Sequence, residues 1–241
     1  MNPSLHGRTA LVTGGGSGIG AACAAALTAA GVRVTVLGRR EDRLRAAVEA
    51  GHAADFIAAD ITALPPLPAF HLLVQAAGVA DSAPFLKTDA ALFERLWRVN
   101  VMGAVAVTQA VLPGMLAASF GRVVMVASTA ALKGYPYVTA YAASKGGLLG
   151  LVRSLAQEVA AQGVTVNAVC PGFTETEIVA ESIARIMAKT GRGEVAARAE
   201  LGKHNPQRRL VQPAEVAAAV LALCGAAAIN GQAIAVDGGE T

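Results

Sequence analysis

Tyr141 and Lys145 stand four residues apart in the pentapeptide YAASK at 141–145. On a helix, that spacing puts both side chains on one face. The pair has a chemical use. A free phenol has a pKa near ~10 and exchanges protons poorly at neutral pH. A neighbouring ammonium favours the phenolate and lowers that pKa. The tyrosine can then pass a proton to or from a substrate oxygen. Without further context the two would serve equally as a surface tyrosine and lysine one turn apart. The flanking sequence predicts the helix: Ala, Leu, Ser and Lys dominate Ala140–Glu158, and leucines recur at 148, 151 and 155.

A second constellation lies near the start. Arg8–Val12 is a short apolar run, TGGGSGIG follows at 13–20, and an Ala-rich helix extends to about Ala30 before Gly31 ends it. Val32–Leu37 reads as the next strand. In such a strand–turn–helix–strand unit, the helix N-terminus points free N–H groups at a phosphate. The glycines fall at 14, 18 and 20, a TGxxxGxG spacing rather than GxGxxG. The alternative is a glycine-rich turn with no ligand. At the end of the second strand, an acidic residue would hold a ribose 2′-hydroxyl and an arginine would favour a 2′-phosphate. Gly38 occupies the acidic position and Arg39 and Arg40 follow. That favours NADP(H) over NAD(H), unless the arginines merely begin the helix Arg40–Ala50 as solvated charges.

The elements between these stretches alternate. Phe56–Ala59 is a third strand ending at Asp60, which could accept from an adenine amine or cap the next turn. Thr62–Ala69 holds three prolines and is too short for a full helix. Leu72–Gln75 enters QAAG at 75–78, where Gly78 suits close backbone approach to a ligand. Ala90–Ala118 predicts a long helix, broken or bent near Asn100–Gly103. Arg122–Val126 is an apolar strand that puts Ser128 at its C-terminal end, the edge where open α/β sheets bind ligands. Val164–Val169 is followed by Pro171-Gly172. Phe173–Arg209 is polar and irregular, with helical patterns at Ile178–Lys189 and Val195–His204, as a substrate lid would be. Pro213 begins a last helix to about Cys224, and Gln232–Val236 is the seventh strand. The expected fold is α/β: one Rossmann-type, doubly wound parallel sheet of about seven strands over residues 1–241.

Composition narrows the function classes. The chain is 54% hydrophobic and 15% charged, which predicts surface buried against other subunits. The net charge is +3, and no basic stripe interleaved with aromatics argues for nucleic acid. Three scattered cysteines without a CxxC suit a reduced, cytoplasmic protein, and four scattered histidines argue against a metal site. No charged segment followed by an apolar run marks a signal peptide. Val99–Phe120 is uncharged and long enough to span a bilayer. Its Asn100, Thr108, Gln109 and Pro113 favour a buried helix, partly covered by another subunit, and no membrane partner is expected.

TGGGSGIG, Asp60, Ala77-Gly78, Asn100, Ser128, YAASK and Pro171-Gly172 occur in an order and spacing that resemble the short-chain dehydrogenase/reductase family over essentially the whole chain. The resemblance implies an oxidoreductase moving a hydride between a nicotinamide and a ketone or secondary alcohol. It implies roles by position. Ser128 would hydrogen-bond the substrate oxygen and Tyr141 would exchange its proton. Lys145 would depress the Tyr141 pKa and hold the nicotinamide ribose. Asn100 would join Lys145 to a proton relay through its backbone carbonyl and a water. Cofactor contacts are implied at Gly14, Ser17, Gly18, Ile19, Gly20, Arg39, Asp60, Ile61, Ala77, Gly78, Tyr141, Lys145, Pro171, Gly172, Thr174 and Thr176. The family usually reads NNAG where this chain has QAAG, so Ala76 replaces an asparagine that stabilises the sheet. GQAIAVDGG at 231–239 looks like members that form homotetramers. PGFTETEIV and NPQRRLVQP look similar to 3-oxoacyl and 3-hydroxyacyl reductases. The lid's Lys189, Arg192, Lys203, Arg208 and Arg209 could therefore serve a CoA- or carrier-linked substrate. Equally, they could be solvated charges paired with Glu175, Glu177, Glu181 and Glu194. An apolar wall at Ala130–Leu132, Tyr135, Tyr137, Phe173 and Val179–Met187 would suit a hydrophobic ketone. The competing reading is a catalytically silent nucleotide-binding protein on the same fold.

Overall fold

A computed structural model describes residues 5–241. Seven strands form one parallel sheet: β1 (Thr9–Thr13), β2 (Arg33–Gly38), β3 (Asp55–Ala58), β4 (Leu72–Gln75), β5 (Gly121–Val126), β6 (Val164–Pro171) and β7 (Ala233–Val236). Their order across the sheet is β3-β2-β1-β4-β5-β6-β7. The chain winds outward from β1 to β3, then returns to the other side of β1 at β4. Sheet order thus reverses between β1 and β4, and the crevice beyond their C-terminal ends is where such a sheet takes a ligand.

Helices cover both faces. On one side lie α1 (Gly18–Ala29), α2 (Glu41–Glu49) and α8 (Pro213–Gly225). On the other lie α3 (Ala90–Trp97), α4 (Gly103–Ala117) and α5 (Thr139–Val159). Helices α6 (Glu177–Thr190) and α7 (Glu194–Gly202) stand above the C-terminal sheet edge on a small core of their own, with Val179, Ile183, Ala197 and Leu201. Burial on both faces explains the strand composition. Every residue of β4, β5 and β6 is buried; β4 and β5 are largely apolar runs, and β6 adds the buried Thr165 and Asn167.

The bend expected near Asn100–Gly103 is a π turn, Arg98–Met102, joining α3 to α4. Its place is chemically apt, since π turns inside α-helices occur at functional sites. Gly103, just after it, lets Ile61 pack close: a Cβ at Gly103 would lie 2.6 Å from Ile61 Cδ1. The stretch Ala90–Ala117 is long and apolar enough to cross a membrane by length and composition, but its Ala104, Val107, Val111 and Met115 belong to the main core. Thr62–Ala69 forms no helix, as its prolines predict. Strand β6 runs two residues past its expected end because Cys170 and Pro171 pair with Ala235 and Val236 of β7.

Candidate active site

Tyr141 and Lys145 lie one turn apart in the first half of α5, with Lys145 Nζ 5.8 Å from the centre of the Tyr141 ring. Lys145 is 6% exposed and donates a 2.9 Å hydrogen bond to the Val126 carbonyl at the end of β5. Two residues on, Ser128 faces Tyr141 closely enough to pull the phenol's pKa down. Its Oγ also accepts from Ala130 N at 3.1 Å, so it caps the short 3₁₀ turn Thr129–Ala131. The strand-end cap and the tyrosine partner are thus the same side chain.

Burial governs the charges here. It pushes the Lys145 ammonium down to about 8. It also pushes the Tyr141 phenol up, and nearby Ser128 pulls only partly the other way. The expected depression of the Tyr141 pKa by Lys145 is opposed by this burial. The ammonium is bonded to a carbonyl rather than to the phenolic oxygen, and desolvation of the phenolate outweighs it. Cys170, buried beneath the pair on β6, is held at about 11 by its own burial.

Asn100 sits in the π turn, 2% exposed. Its Oδ1 accepts from Val79 N at 2.8 Å, and its Nδ2 donates to Val79 O and Ser144 Oγ, each at 2.9 Å. The side chain therefore clamps the loop after β4 to α5, the helix carrying Tyr141 and Lys145. Gly78 keeps the clamp clear. A Cβ there would come within 3.1 Å of Asn100 Oδ1 and 3.4 Å of Lys145 Nζ.

The glycine turn lies at the switch point. Gly14 has φ +66°, and a Cβ on it would meet Ala77 N at 2.9 Å. Thr13 Oγ1 accepts from Ala77 N at 3.1 Å, so the first turn and the QAAG strand end stay fastened with Ala76 in place of asparagine. Ser17 precedes α1 with extended backbone and makes no capping bond to it. The first-turn N–H groups of α1 lack intrahelical partners and face the crevice. Asp60 Oδ1 accepts from Thr62 N and Thr62 Oγ1, both at 2.8 Å. That oxygen caps a turn, and the same bonds hold the carboxyl below the usual range. Ile61 is 5% exposed and packed into the core beneath Gly103. Thr174 Oγ1 donates to Gly172 O at 2.9 Å, and Thr176 Oγ1 donates to Thr174 O at 3.2 Å, fixing the step from β6 into α6. Thr176 Cγ2 lies 3.1 Å from where a Gly18 Cβ would sit, which brings the N-terminus of α6 onto the glycine turn.

Two cavities meet across this site. The first, about 310 Å³, is lined by Ser128, Tyr141, Lys145, Pro171 and Gly172 with Tyr135, Val138, Phe173, Val179 and His204. The second, about 620 Å³, is lined by Gly14, Ser17, Gly18, Gly20, Arg39, Asp60, Ile61 and Ala77, with Arg40 and Arg43. Ile19, Gly78, Val79 and Thr176 line both. An extended ligand at the glycine turn would therefore reach Tyr141. The glycine cradle, the α1 N-terminus and the arginines fit a nicotinamide dinucleotide.

Three features were not anticipated. Arg40, rather than Arg39, engages the glycine turn: its Nη2 donates to Ser17 Oγ at 2.9 Å and to Glu177 Oε2 of the lid at 2.8 Å. Arg185 of α6 reaches Asp81 at 3.3 Å, a second tie between α6 and the body of the fold. Tyr135 donates to Glu240 Oε1 at 2.6 Å, linking the pocket wall to the chain's C-terminal segment. The only sequence signal for any of these was the Arg39-Arg40 pair itself.

The short chain dehydrogenase family model matches residues 8–186. A Streptomyces coelicolor protein named "Putative ketoacyl reductase" is 37% identical over 95% of each chain. Cis-4-hydroxycyclohexanecarboxylate dehydrogenase of Sinomonas cyclohexanicum is 35% identical over 100% of this chain and 99% of its own. Among solved structures, a variant of actinorhodin polyketide ketoreductase with NADPH is 33% identical, covers 97% of each chain and superposes with a TM-score of 0.91. The chain accordingly belongs to the short-chain dehydrogenase/reductase family and is an oxidoreductase that uses a nicotinamide cofactor on a small-molecule alcohol or carbonyl.

Proposed function

We propose that the protein is an NADP(H)-dependent reductase of hydrophobic ketones, acting reversibly on the matching secondary alcohols. The observation that carries this is the placement of Tyr141, Ser128 and Lys145 on one wall of the small apolar cavity, where it opens into the larger, arginine-rimmed one. When bound, the nicotinamide supplies or accepts the hydride at the substrate carbon. Ser128 donates a hydrogen bond to the substrate oxygen, and Tyr141 gives that oxygen its proton in reduction or removes it in oxidation. Lys145, held by Val126 O with its Nζ 5.8 Å from the Tyr141 ring, is placed beside the proton donor. Asn100 acts as a positioning residue that fixes α5 against the loop after β4. Its backbone carbonyl is the proposed link between Lys145 and a proton relay. Gly14, Ser17, Gly18, Ile19 and Gly20 form the proposed pyrophosphate cradle, and Arg39 is the proposed 2′-phosphate contact. Asp60, Ile61, Ala77, Gly78, Pro171, Gly172, Thr174 and Thr176 complete the cofactor wall.

The lid favours a free ketone over a CoA- or carrier-linked one. Three of those five cations have carboxylate partners: Arg192 pairs with Glu200 at 3.4 Å, Lys203 pairs with the same Glu200, and Arg209 grips Glu215 through two 2.6 Å bonds. Residues 173–209 are the proposed lid of a single domain. Exposed Trp97 and Met102, on α3 and the π turn after it, support a homotetramer through the long helices, and the free, buried Cys23, Cys170 and Cys224 support a cytoplasmic setting.

The test is cofactor oxidation with acetoacetyl-CoA, a free β-keto ester, a cyclic ketone and an aryl ketone, using NADPH and NADH. Turnover of the free ketones with NADPH is expected. Turnover confined to the thioester would make the lid a CoA site and overturn the substrate reading. A tenfold preference for NADH, a difference of about 1.4 kcal/mol, would overturn the cofactor reading.

A further inference from the structure

The larger cavity has an arginine rim, and part of that rim is already engaged by an anion of the chain itself. Arg40 Nη2 divides its two hydrogens between Ser17 Oγ and Glu177 Oε2. Arg43 Nη2 approaches Glu177 Oε1 at 3.6 Å, and its Nε lies 4.0 Å from Asp42. Glu177 is the first residue of α6, so it enters the cavity from the lid, 137 positions along the chain from Arg40. Both partners are about half exposed, at 52% and 46%, so a soluble ligand can reach the pair.

A 2′-phosphate and a carboxylate ask the same thing of a guanidinium: charge-assisted hydrogen bonds in its plane. Arg40 keeps its Nη1 and Nε groups for a second anion, but that anion would sit beside the Glu177 carboxylate. Like charges that close disfavour one another. A nucleotide without the 2′-phosphate brings no charge to this end of the cavity and meets no such cost.

We infer that Glu177 is a cofactor-selectivity residue: its carboxylate engages Arg40 and Arg43 as an internal anion and lowers the preference of the pocket for a 2′-phosphorylated dinucleotide. Specificity here is set by a repulsive element as well as by attractive arginines. The inference rests on the reading of this cavity as the adenosine end of the cofactor site.

The experiment is calorimetric titration of the whole protein with NADPH and with NADH, without carbonyl substrate. The variants are Glu177→Gln and, on the same helix and lining the same cavity, Glu181→Gln. Glutamine retains an amide oxygen to accept from Arg40 while removing the charge. Glu177→Gln should tighten NADPH about threefold or more and leave NADH within about twofold, as expected for a solvent-screened charge pair. The gain should shrink as salt is raised. Glu181→Gln should leave the NADPH/NADH affinity ratio unchanged. The inference is overturned if Glu177→Gln moves both nucleotides together or weakens NADPH. It is equally overturned if Glu181→Gln changes the ratio as much, since general lid charge would then be responsible. A wild type that prefers NADH, with the ratio still moved toward NADPH by Glu177→Gln, would sink the NADP(H) proposal and leave this inference standing. A thermal melt of each variant confirms folding independently of binding.

Discussion

The floor and the roof of the active site are built from opposite materials. The floor is β5, β6 and the first half of α5, where every strand residue is buried and Lys145 is enclosed to 6% exposure. The roof is α6 and α7, which bury only a few residues apiece and are tied to the body by exposed ion pairs, Arg40–Glu177 and Arg185–Asp81. In the floor, desolvation sets the charge states, moving Lys145 and Tyr141 away from their ordinary values. In the roof, solvent screens each pair to a small contribution. The proposed chemistry therefore lies in the floor. The roof is adjustable, and selectivity for cofactor and substrate can change there at little cost to stability.

This contrast can be broken or sharpened by experiment. The largest effect is expected at Lys145. Lys145→Met should remove at least ~100-fold of turnover, the scale of a lost acid–base system, with the fold intact by circular dichroism. Retained turnover would separate the lysine from the chemistry. Next is pH. The folded Lys145 pKa of about 8 lies below the ordinary lysine value, so the ammonium is lost as pH rises through 8. The kcat/KM for ketone reduction should fall across that region, because it reports the free enzyme. Stability should move the other way. Between about 8 and ~10.4 the unfolded chain binds a proton that the folded chain has released, so the Lys145 contribution rises with pH. A pH–melting series on the wild type and Lys145→Met isolates it.

A smaller effect is expected at Gln75. It is 2% exposed, and neither of its amide atoms has a hydrogen-bond partner among the described residues. Gln75→Met should stabilise the protein by about 1 kcal/mol, by removing orphaned polar atoms from the sheet centre. A lower midpoint in denaturant would contradict this. The smallest belongs to the roof's edge. Two hydrogen bonds from Arg209, with a third from Gln212 N, hold the Glu215 carboxyl down to about 2. A lowered carboxylate stabilises above its unfolded pKa of ~4.3 and loses that contribution as pH falls toward 2. Arg209→Ala should therefore lower the urea midpoint slightly at neutral pH, and that difference should vanish as the pH falls toward 2.

The same contrast explains what could be read from the chain. The strands show as apolar runs, and each observed end lies within two residues of its expected one. The Tyr141–Lys145 pairing and the bend at Asn100–Gly103 were also legible, because each depends on residues close in sequence. Asp60 was not, since a strand-end aspartate can cap a turn or receive a ligand, and only the position of Thr62 decides the use of Oδ1. The direction of the Tyr141 shift was hidden because burial is a tertiary property. Arg40 with Glu177 and Tyr135 with Glu240 were hidden for another reason. They join residues 137 and 105 positions apart, and local pattern carries no signal for such pairs.

The most direct test of the account is Tyr141→Phe, assayed for ketone reduction and titrated with NADPH in parallel. The account predicts turnover down by ~100-fold or more, with NADPH affinity within about threefold of wild type, because the phenolic oxygen moves the proton while the glycine cradle and α1 hold the nucleotide. Turnover close to wild type, or loss of NADPH binding together with turnover, would contradict it.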